Sequence, residues 1–274
     1  MCDVCGCGDT EIVSDDLHAR IMSGNDRIAG HNREHFGRRD VLAINLMGSP
    51  GAGKTALIEA TRKALPGLRL SAVSGDLATD HDSARLEEAG VPARTITTGT
   101  ACHLDASMVH DVLHGWDEPA SDVFFIENVC NLVCPAIYDL GQHANVVALS
   151  VTEGPDKPLK YPVMFRAADL VLLTKSDLLP HLDDIDPERI RETLAHVMPE
   201  PRMLVVSARS GEGLDEWADW LEARRRALPE AGPQEIAGTP AAHVHHHDHS
   251  HHHHEPGHET ASTAPVQDRR GHHG

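Results

Sequence analysis

The chain has 274 residues and a formal net charge of −18, from 24 basic and 42 acidic side chains. That charge argues against a nucleic-acid-binding protein, which would show a basic face. The sequence has no apolar stretch of the roughly 20 residues that a membrane helix needs and no secretory signal, so we expect a cytoplasmic protein that binds neither nucleic acid nor membrane.

Composition divides the chain into three predicted regions. Residues 1–39 hold a cysteine cluster and a polar helical stretch for which Ser14 is a plausible N-cap. Residues 40–229 alternate short apolar runs with helical patterns. Residues 230–274 are rich in Pro, Gly, Ala and His with almost no large apolar side chains, so we expect them to be disordered.

The middle region predicts an α/β fold. Its apolar runs predict strands covered on both faces, at residues 41–49, 68–76, 93–98, 122–129, 145–153, 170–177 and 202–208. Helical patterns lie between them, at residues 54–64, 81–89, 104–113, 188–197 and 213–227. This alternation implies right-handed crossovers and a mostly parallel, doubly wound sheet. Ligands of such sheets bind at the carboxyl ends of the strands.

The segment GSPGAGKT follows the first predicted strand and opens a helix, which is the context that a phosphate-binding P-loop requires. Its backbone N–H groups and the helix N-terminus suit phosphate oxygens. Lys54 would reach the β- and γ-phosphates, and the Thr55 hydroxyl would bind Mg²⁺. The predicted nucleotide-binding residues of this loop are Gly48, Ser49, Pro50, Gly51, Ala52, Gly53, Lys54 and Thr55.

Acidic residues at the ends of neighbouring strands would complete a site for Mg²⁺ and the γ-phosphate. Asp76 and Glu127 each follow an apolar run, and we predict both as catalytic and Mg²⁺-binding residues. Asp82 is a weaker third candidate. Each could instead be an ordinary residue at a strand end.

The identity of the base is indicated further along the chain. Thr174, Lys175 and Asp177 follow another apolar run in the sequence LVLLTKSD, which resembles the N-K-x-D guanine-reading motif of GTPases. The sequence VVSARSG, with Ser207 and Ala208, resembles their S-A-K loop. Thr174 departs from the usual Asn, which leaves one base contact open, but Asp177 favours guanine over adenine. We predict GTP as the nucleotide.

The remaining cysteines lie beside these motifs. Cys102 and His103 are adjacent in a loop, and Cys134 lies seven residues after Glu127. Two thiols and an imidazole are one ligand short of a closed zinc site, which water or a second copy of the protein could complete. The alternative is that both cysteines are small buried hydrophobic residues. Cys130 could be a further ligand or a core residue.

Taken together, M-C-x-x-C-G-C at the start, GSPGAGKT, ACHLDA and ENVxNLVCP resemble the HypB-type hydrogenase nickel-incorporation GTPases. The resemblance covers roughly residues 1–229 and implies a P-loop domain of the SIMIBI-like G-domain type. It assigns a nickel site to Cys2, Cys5 and Cys7, and an inner zinc or nickel site to Cys102, His103 and Cys134. It also implies a GTP- or metal-linked homodimer, a HypA-type metallochaperone partner and delivery to the [NiFe]-hydrogenase large subunit precursor. The family usually has Gly in place of Cys130.

Two metal-rich segments flank the predicted domain. The N-terminal thiols are too close together for a rigid tetrahedral cage, but thiolates with an amine or amide nitrogen suit Ni²⁺. An interrupted histidine tract in the tail suits weak storage of Ni²⁺ or Zn²⁺, and an expression tag is the alternative. Its predicted ligands are His245, His246, His247, His251, His252, His253 and His254.

We therefore expect a slow, metal-gated GTPase with GTP, Mg²⁺, Ni²⁺ and Zn²⁺ as ligands. Three alternatives stay open at this point: a urease-type nickel GTPase, a nickel storage protein with an idle nucleotide site, and a P-loop kinase or ATPase. A urease-type GTPase would be expected to carry C-P-H where this chain has Cys102, His103 and Leu104, and a kinase conflicts with the TKSD sequence.

Overall fold

The computed structural model describes residues 15–76, 80–99, 101, 103–117, 120–129 and 131–228. The predictions for Ser14, for the N-terminal thiols and for the histidine tract lie outside the described residues. So do those for Cys102 and Cys130.

Seven strands form one sheet. They are β1 (Leu42–Gly48), β2 (Leu70–Asp76), β3 (Ala93–Thr97), β4 (Val123–Glu127), β5 (Ala144–Ser150), β6 (Leu170–Thr174) and β7 (Met203–Val205). Their spatial order is β3-β2-β4-β1-β5-β6-β7, and every strand pairing is parallel. Because β1 lies in the middle, the carboxyl ends of β1, β4 and β5 meet at the centre of one edge of the sheet.

Helices precede, connect and follow the strands. They are α1 (Asp15–Arg38), α2 (Lys54–Ala64), α3 (His81–Glu88), α4 (Ala106–Gly115), α5 (Lys157–Lys160), α6 (Pro162–Arg166), α7 (Pro187–Ala195) and α8 (Leu214–Arg226). The sequence pattern did not predict α5 and α6, whose few residues are too short for a helical period. The predicted strand at 170–177 ends early, because Lys175 adopts a left-handed conformation with φ of 61°. In the described part of the chain, no helix is long and apolar enough to span a bilayer.

Both faces of the sheet are covered, which explains the nearly continuous apolar runs. Successive side chains of β1 point to opposite faces. Leu42 and Ile44 belong to the core under α2, α3 and α8, whereas Ala43 belongs to the core under α1 and α4. A third group of buried side chains packs α6 and α7 against β5 and β6. The largest fully buried side chain is Trp217 of α8.

Candidate nucleotide and metal site

The P-loop lies between β1 and α2. β1 ends at Gly48, α2 begins at Lys54, and Gly53 before it is left-handed with φ of 92°. The Lys54 side chain is only 4% exposed, and its Nζ donates to the carbonyl oxygens of Gly48 at 3.3 Å and Ser49 at 3.4 Å. The loop therefore wraps around an ammonium group at the amino end of a helix, which is a suitable environment for phosphate oxygens.

Carboxylates meet the Thr55 hydroxyl at the start of α2. Its Oγ1 lies 2.8 Å from Glu127 Oε1 and 3.0 Å from Asp82 Oδ1. Glu127 ends β4 and is 3% exposed. Burial raises the pKa of Glu127 to about 7, and the nearby Lys54 ammonium opposes the rise. Glu127 Oε2 is buried without a hydrogen-bond partner among the described residues. A hydroxyl and two carboxylates, one of which has an oxygen without a partner among the described residues, are a donor set that suits Mg²⁺.

Asp76 and Asp82 occupy different positions around this centre. Ser74 on β2 pairs with Glu127 on β4 in the sheet register. Asp76 lies two residues after Ser74, so its side chain is on the same face of the sheet as those of Ser74 and Glu127. The Asp76 carbonyl accepts a hydrogen bond from the Thr98 N–H at 2.9 Å. Asp82, the weakest of the three acidic candidates in the sequence, makes direct contact with Thr55.

The predicted base-reading segments line a cavity of about 370 Å³, which includes Gly53, Lys175, Asp177 and Ala208. Asp177 Oδ1 accepts a hydrogen bond from Ser207 Oγ at 2.6 Å. Ser207 is fully buried, and its Oγ accepts hydrogen bonds from the N–H groups of Arg209 and Ser210 at 3.2 and 3.1 Å. Ser207 therefore orients the carboxylate that would read the base.

Thr174, the last residue of β6, connects that strand to the P-loop. Its Oγ1 donates to the Ala52 carbonyl at 2.6 Å, and the residue is 5% exposed. The shorter side chain at the usual Asn position therefore has a defined partner in the phosphate loop.

Two of the three predicted inner metal ligands are described. The His103 ring stacks on Tyr138 with centroids 4.1 Å apart, and burial lowers the pKa of His103, with Asp105 opposing. Cys134 is buried and begins the short 3₁₀ turn Cys134–Ala136. The segment that follows Cys134 therefore packs against the loop of His103. Across the described ranges, no three or more His, Cys, Asp or Glu side chains are arranged to hold a metal ion.

Comparisons with known proteins agree with this architecture. A family model described as the CobW/HypB/UreG nucleotide-binding domain matches residues 42–204. The hydrogenase maturation factor HypB of Azotobacter vinelandii is 52% identical over 206 residues, which cover 75% of this chain and 68% of that protein. HypB of Escherichia coli K12 is 46% identical over 208 residues, covering 76% and 71%.

The chain belongs to the HypB family.

Solved HypB structures share the fold. The crystal structure of HypB from Archaeoglobus fulgidus matches with a TM-score of 0.68 and 36% identity, covering 74% of this chain and 99% of that one. HypB from Helicobacter pylori in complex with nickel matches with the same TM-score and identity, covering 74% and 95%. Hydrogenase maturation and a nucleotide-binding domain of the P-loop GTPase class are therefore properties of the family to which this chain belongs.

Sequence reasoning missed Asn128, which joins the two halves of the site in this HypB-family chain. Asn128 directly follows Glu127, and its Oδ1 accepts hydrogen bonds from the N–H groups of Leu104 at 3.3 Å and Val129 at 2.9 Å. Its Nδ2 donates to Asn45 Oδ1 at 3.0 Å. Leu104 is the neighbour of His103. A buried amide inside an otherwise apolar run was the available sequence signal.

Sequence reasoning also missed how α1 is docked. Asn25 accepts from the Ala106 N–H at 2.9 Å and donates to the Asp139 carbonyl at 2.8 Å. Asn32 donates to the carbonyls of Ala106 at 2.9 Å and Leu140 at 3.1 Å. In this HypB-family chain, α1 therefore holds together the segment after His103 and the segment after Cys134.

Proposed function

We propose that this chain is a GTP-hydrolysing nickel metallochaperone that binds nickel and delivers it to the [NiFe]-hydrogenase large subunit precursor during maturation. The observation that carries the proposal is the fixed position of the Asp177 carboxylate relative to the P-loop. The Ser207 contact of 2.6 Å fixes the carboxylate, and the Thr174 contact of 2.6 Å fixes its distance from the phosphate site. A fixed carboxylate acceptor matches the two N–H donors that guanine presents.

Hydrolysis is assigned to the charged groups around α2. Lys54 would stabilise charge that develops on the β- and γ-phosphates. Thr55, Glu127 and Asp82 supply the oxygen ligands for Mg²⁺, with Asp76 at the next strand end, and the ion would neutralise phosphate charge. The sequence does not identify an arginine finger, so we expect slow intrinsic GTP hydrolysis.

The metal-binding roles are inferred from chemistry and from the family. Cys2, Cys5 and Cys7 would bind nickel, with the terminal amine or a backbone amide as fourth ligand. Cys102, His103 and Cys134 would form the inner nickel or zinc site, completed by water or by a second copy in a GTP- or metal-linked homodimer. HypB from Helicobacter pylori has been solved in complex with nickel, which supports nickel as the cargo here.

Nucleotide and metal would be coupled through short covalent and hydrogen-bonded paths. Glu127 and Cys134 share one segment, so relaxation of Glu127 after hydrolysis would move the segment that carries Cys134. Asn128 adds a second path, because its side chain holds the Leu104 N–H next to His103. We therefore expect bound nucleotide to change metal affinity at the inner site.

One assay tests the nucleotide proposal. GTP and ATP hydrolysis are measured with and without nickel for wild type, for Asp177→Ala and for Asp184→Ala, an exposed aspartate that serves as the matched control. We expect wild type and the control to prefer GTP, and Asp177→Ala to lose that preference. Preference of the wild type for ATP would overturn the proposal.

Two further experiments test the metal sites. Acetylation of the terminal amine should weaken nickel binding, and unchanged affinity would refute amine ligation. Deletion of the residues after Ala242 should lower the number of nickel ions bound without changing GTP hydrolysis. An unchanged number would count against storage by the histidine tract. Binding by that tract should fall as the pH drops through about 6.5, where imidazole protonates.

A second candidate function is urease maturation. Helicobacter hepaticus has a protein named hydrogenase/urease maturation factor HypB, which is 41% identical over 211 residues, covering 76% of this chain and 86% of that protein. Growth assays with added nickel would separate the two. A deletion strain that loses only hydrogenase activity supports the first proposal, and loss of urease activity supports the second. If the protein only stores nickel, Asp177→Ala should change neither hydrogenase activity nor urease activity.

A further inference from the structure

A pair of histidines on α4 lies away from the nucleotide site. His110 and His114 are one helical turn apart, and their ring centroids are 4.2 Å apart. Histidines four residues apart on a helix present their rings on one face, which is the spacing of many metal-binding pairs. Neither the sequence motifs nor the proposed function uses these residues.

The structure fixes the tautomer of His110. The Nδ2 of Asn32 donates to two carbonyls, so the Oδ1 of its amide faces His110 Nδ1, at 3.0 Å. An amide oxygen only accepts hydrogen bonds, so Nδ1 of His110 carries a proton, and in the neutral ring Nε2 has the lone pair that can bind a metal ion. An N–H donated to a fixed oxygen is the arrangement that orients histidines which bind metal ions.

A third imidazole closes one side of the pair. His35 of α1 lies with its ring centroid 5.6 Å from that of His114, at an interplanar angle of 75°. Its Nε2 is buried and has no hydrogen-bond partner among the described residues. The charges of Arg38 and Arg39 act on His35 by electrostatic repulsion. The positive charge at this end of α1 therefore limits how tightly a cation can bind.

We propose that His110 and His114 together bind one divalent transition ion of the Ni²⁺ or Zn²⁺ class, with water as the remaining ligands. Only two protein ligands are proposed, because the described residues hold no three or more His, Cys, Asp or Glu side chains arranged to bind an ion. Imidazole is a good ligand for both ions. A site with two protein ligands and water in the other positions binds an ion weakly and exchanges it readily. Such a site is suited to temporary storage of the ion.

The site is distinct from the inner site. α4 begins at Ala106, so at a rise of about 1.5 Å per residue His110 lies roughly 6 Å and His114 roughly 12 Å along the helix. Asn32 bonds both to His110 and to the Ala106 carbonyl, which places the pair on the same α1–α4 contact that holds the His103 segment. An ion held here does not need the inner ligands. The inference does not depend on GTP hydrolysis.

The test uses Zn²⁺ as the probe and the full-length protein, with imidazole ¹H–¹⁵N spectra as the readout. Resonances are assigned residue by residue, so that binding by the histidine tract is recorded separately. His114→Gln removes one ligand at an exposed position, and His31→Gln, an exposed histidine of α1, is the matched control. Guanine nucleotide affinity is measured on each variant to show that it is folded.

We expect the resonances of His110 and His114 to shift together with one dissociation constant in wild type and in His31→Gln. In His114→Gln, the response of His110 should require at least about tenfold more zinc, because a single imidazole replaces a chelating pair. The proposal is overturned if His110 does not respond at millimolar zinc, or if His114→Gln leaves its response unchanged. A joint shift of His110 and His35 without His114 would also overturn it.

Discussion

Replacement of Glu127 by Gln should change how the stability of the nucleotide-free protein depends on pH. Glu127 is 3% exposed, and burial raises the pKa of Glu127 from the ordinary 4.5 to about 7. The folded state therefore holds a proton that the unfolded state has lost between those two pH values. Since the folded state binds more protons there, the free energy of unfolding falls as the pH rises through this window.

The size of the effect follows from the same interval. The pKa difference between 4.5 and about 7 corresponds to a loss of about 3 kcal/mol in the free energy of unfolding. This loss is complete once the pH is above 7. Glutamine keeps an acceptor for the Thr55 hydroxyl but cannot ionise. Its amide N–H₂ would stand where the protonated carboxyl of wild type has an O–H without a partner at low pH, so the two side chains carry a similar penalty there. The variant should thus match wild type within about 1 kcal/mol at pH 4.5 and gain about 3 kcal/mol relative to it by pH 8.

Urea unfolding without Mg²⁺, between pH 4.5 and pH 8.5, measures this difference. Glu192→Gln, which removes an exposed charge on α7, is the matched control and should follow wild type. Parallel stability curves for wild type and Glu127→Gln would show that Glu127 does not titrate with a raised pKa in the folded protein. Titration of Mg²⁺ and nucleotide near pH 6.5, in buffers of different ionisation enthalpy, should show proton release in wild type and none from this position in the variant.

Other contacts give sharper local tests. Thr174→Val keeps the shape but leaves a P-loop carbonyl without its donor, so urea unfolding should show a loss of about 1–3 kcal/mol together with weaker GTP binding. Ser207→Ala should lower the preference for guanine over adenine in competition binding, by about tenfold if one net hydrogen bond is lost. Asn128→Ala should leave GTP binding in place but reduce the effect of nucleotide on metal affinity, and an unchanged effect would exclude this path. Gly141→Ala would place its Cβ 2.6 Å from a backbone oxygen of α1, at a residue with φ of +88°. It should lower the free energy of unfolding by at least about 2 kcal/mol and speed hydrogen exchange in α1. By contrast, the Cβ of Gly30→Ala inside α1 meets nothing within 4 Å, so this variant should raise the free energy of unfolding by about 0.5–1 kcal/mol.

The strands, the long helices and the phosphate loop could be predicted from the sequence alone. Each of these depends on a short-range pattern: the apolar runs on burial of both faces, α2 and α8 on a helical period, and GSPGAGKT on the spacing of its glycines. The structure confirmed a parallel sheet with helices on both sides. The HypB family followed from motifs that are continuous in the chain.

The polar groups that meet across the sheet could not be predicted in this way, because their contacts depend on the folded chain. The contacts of Thr55 with Glu127 and of Asn128 with Leu104 join residues 72 and 24 positions apart, and no local pattern encodes such a pairing. The order of the strands brings these residues together, because the carboxyl ends of β1 and β4 meet at one edge. The same reason explains Asp82, whose importance depends on the position of α3 beside α2, and His110, whose tautomer is fixed by an amide on a helix 78 residues earlier in the chain.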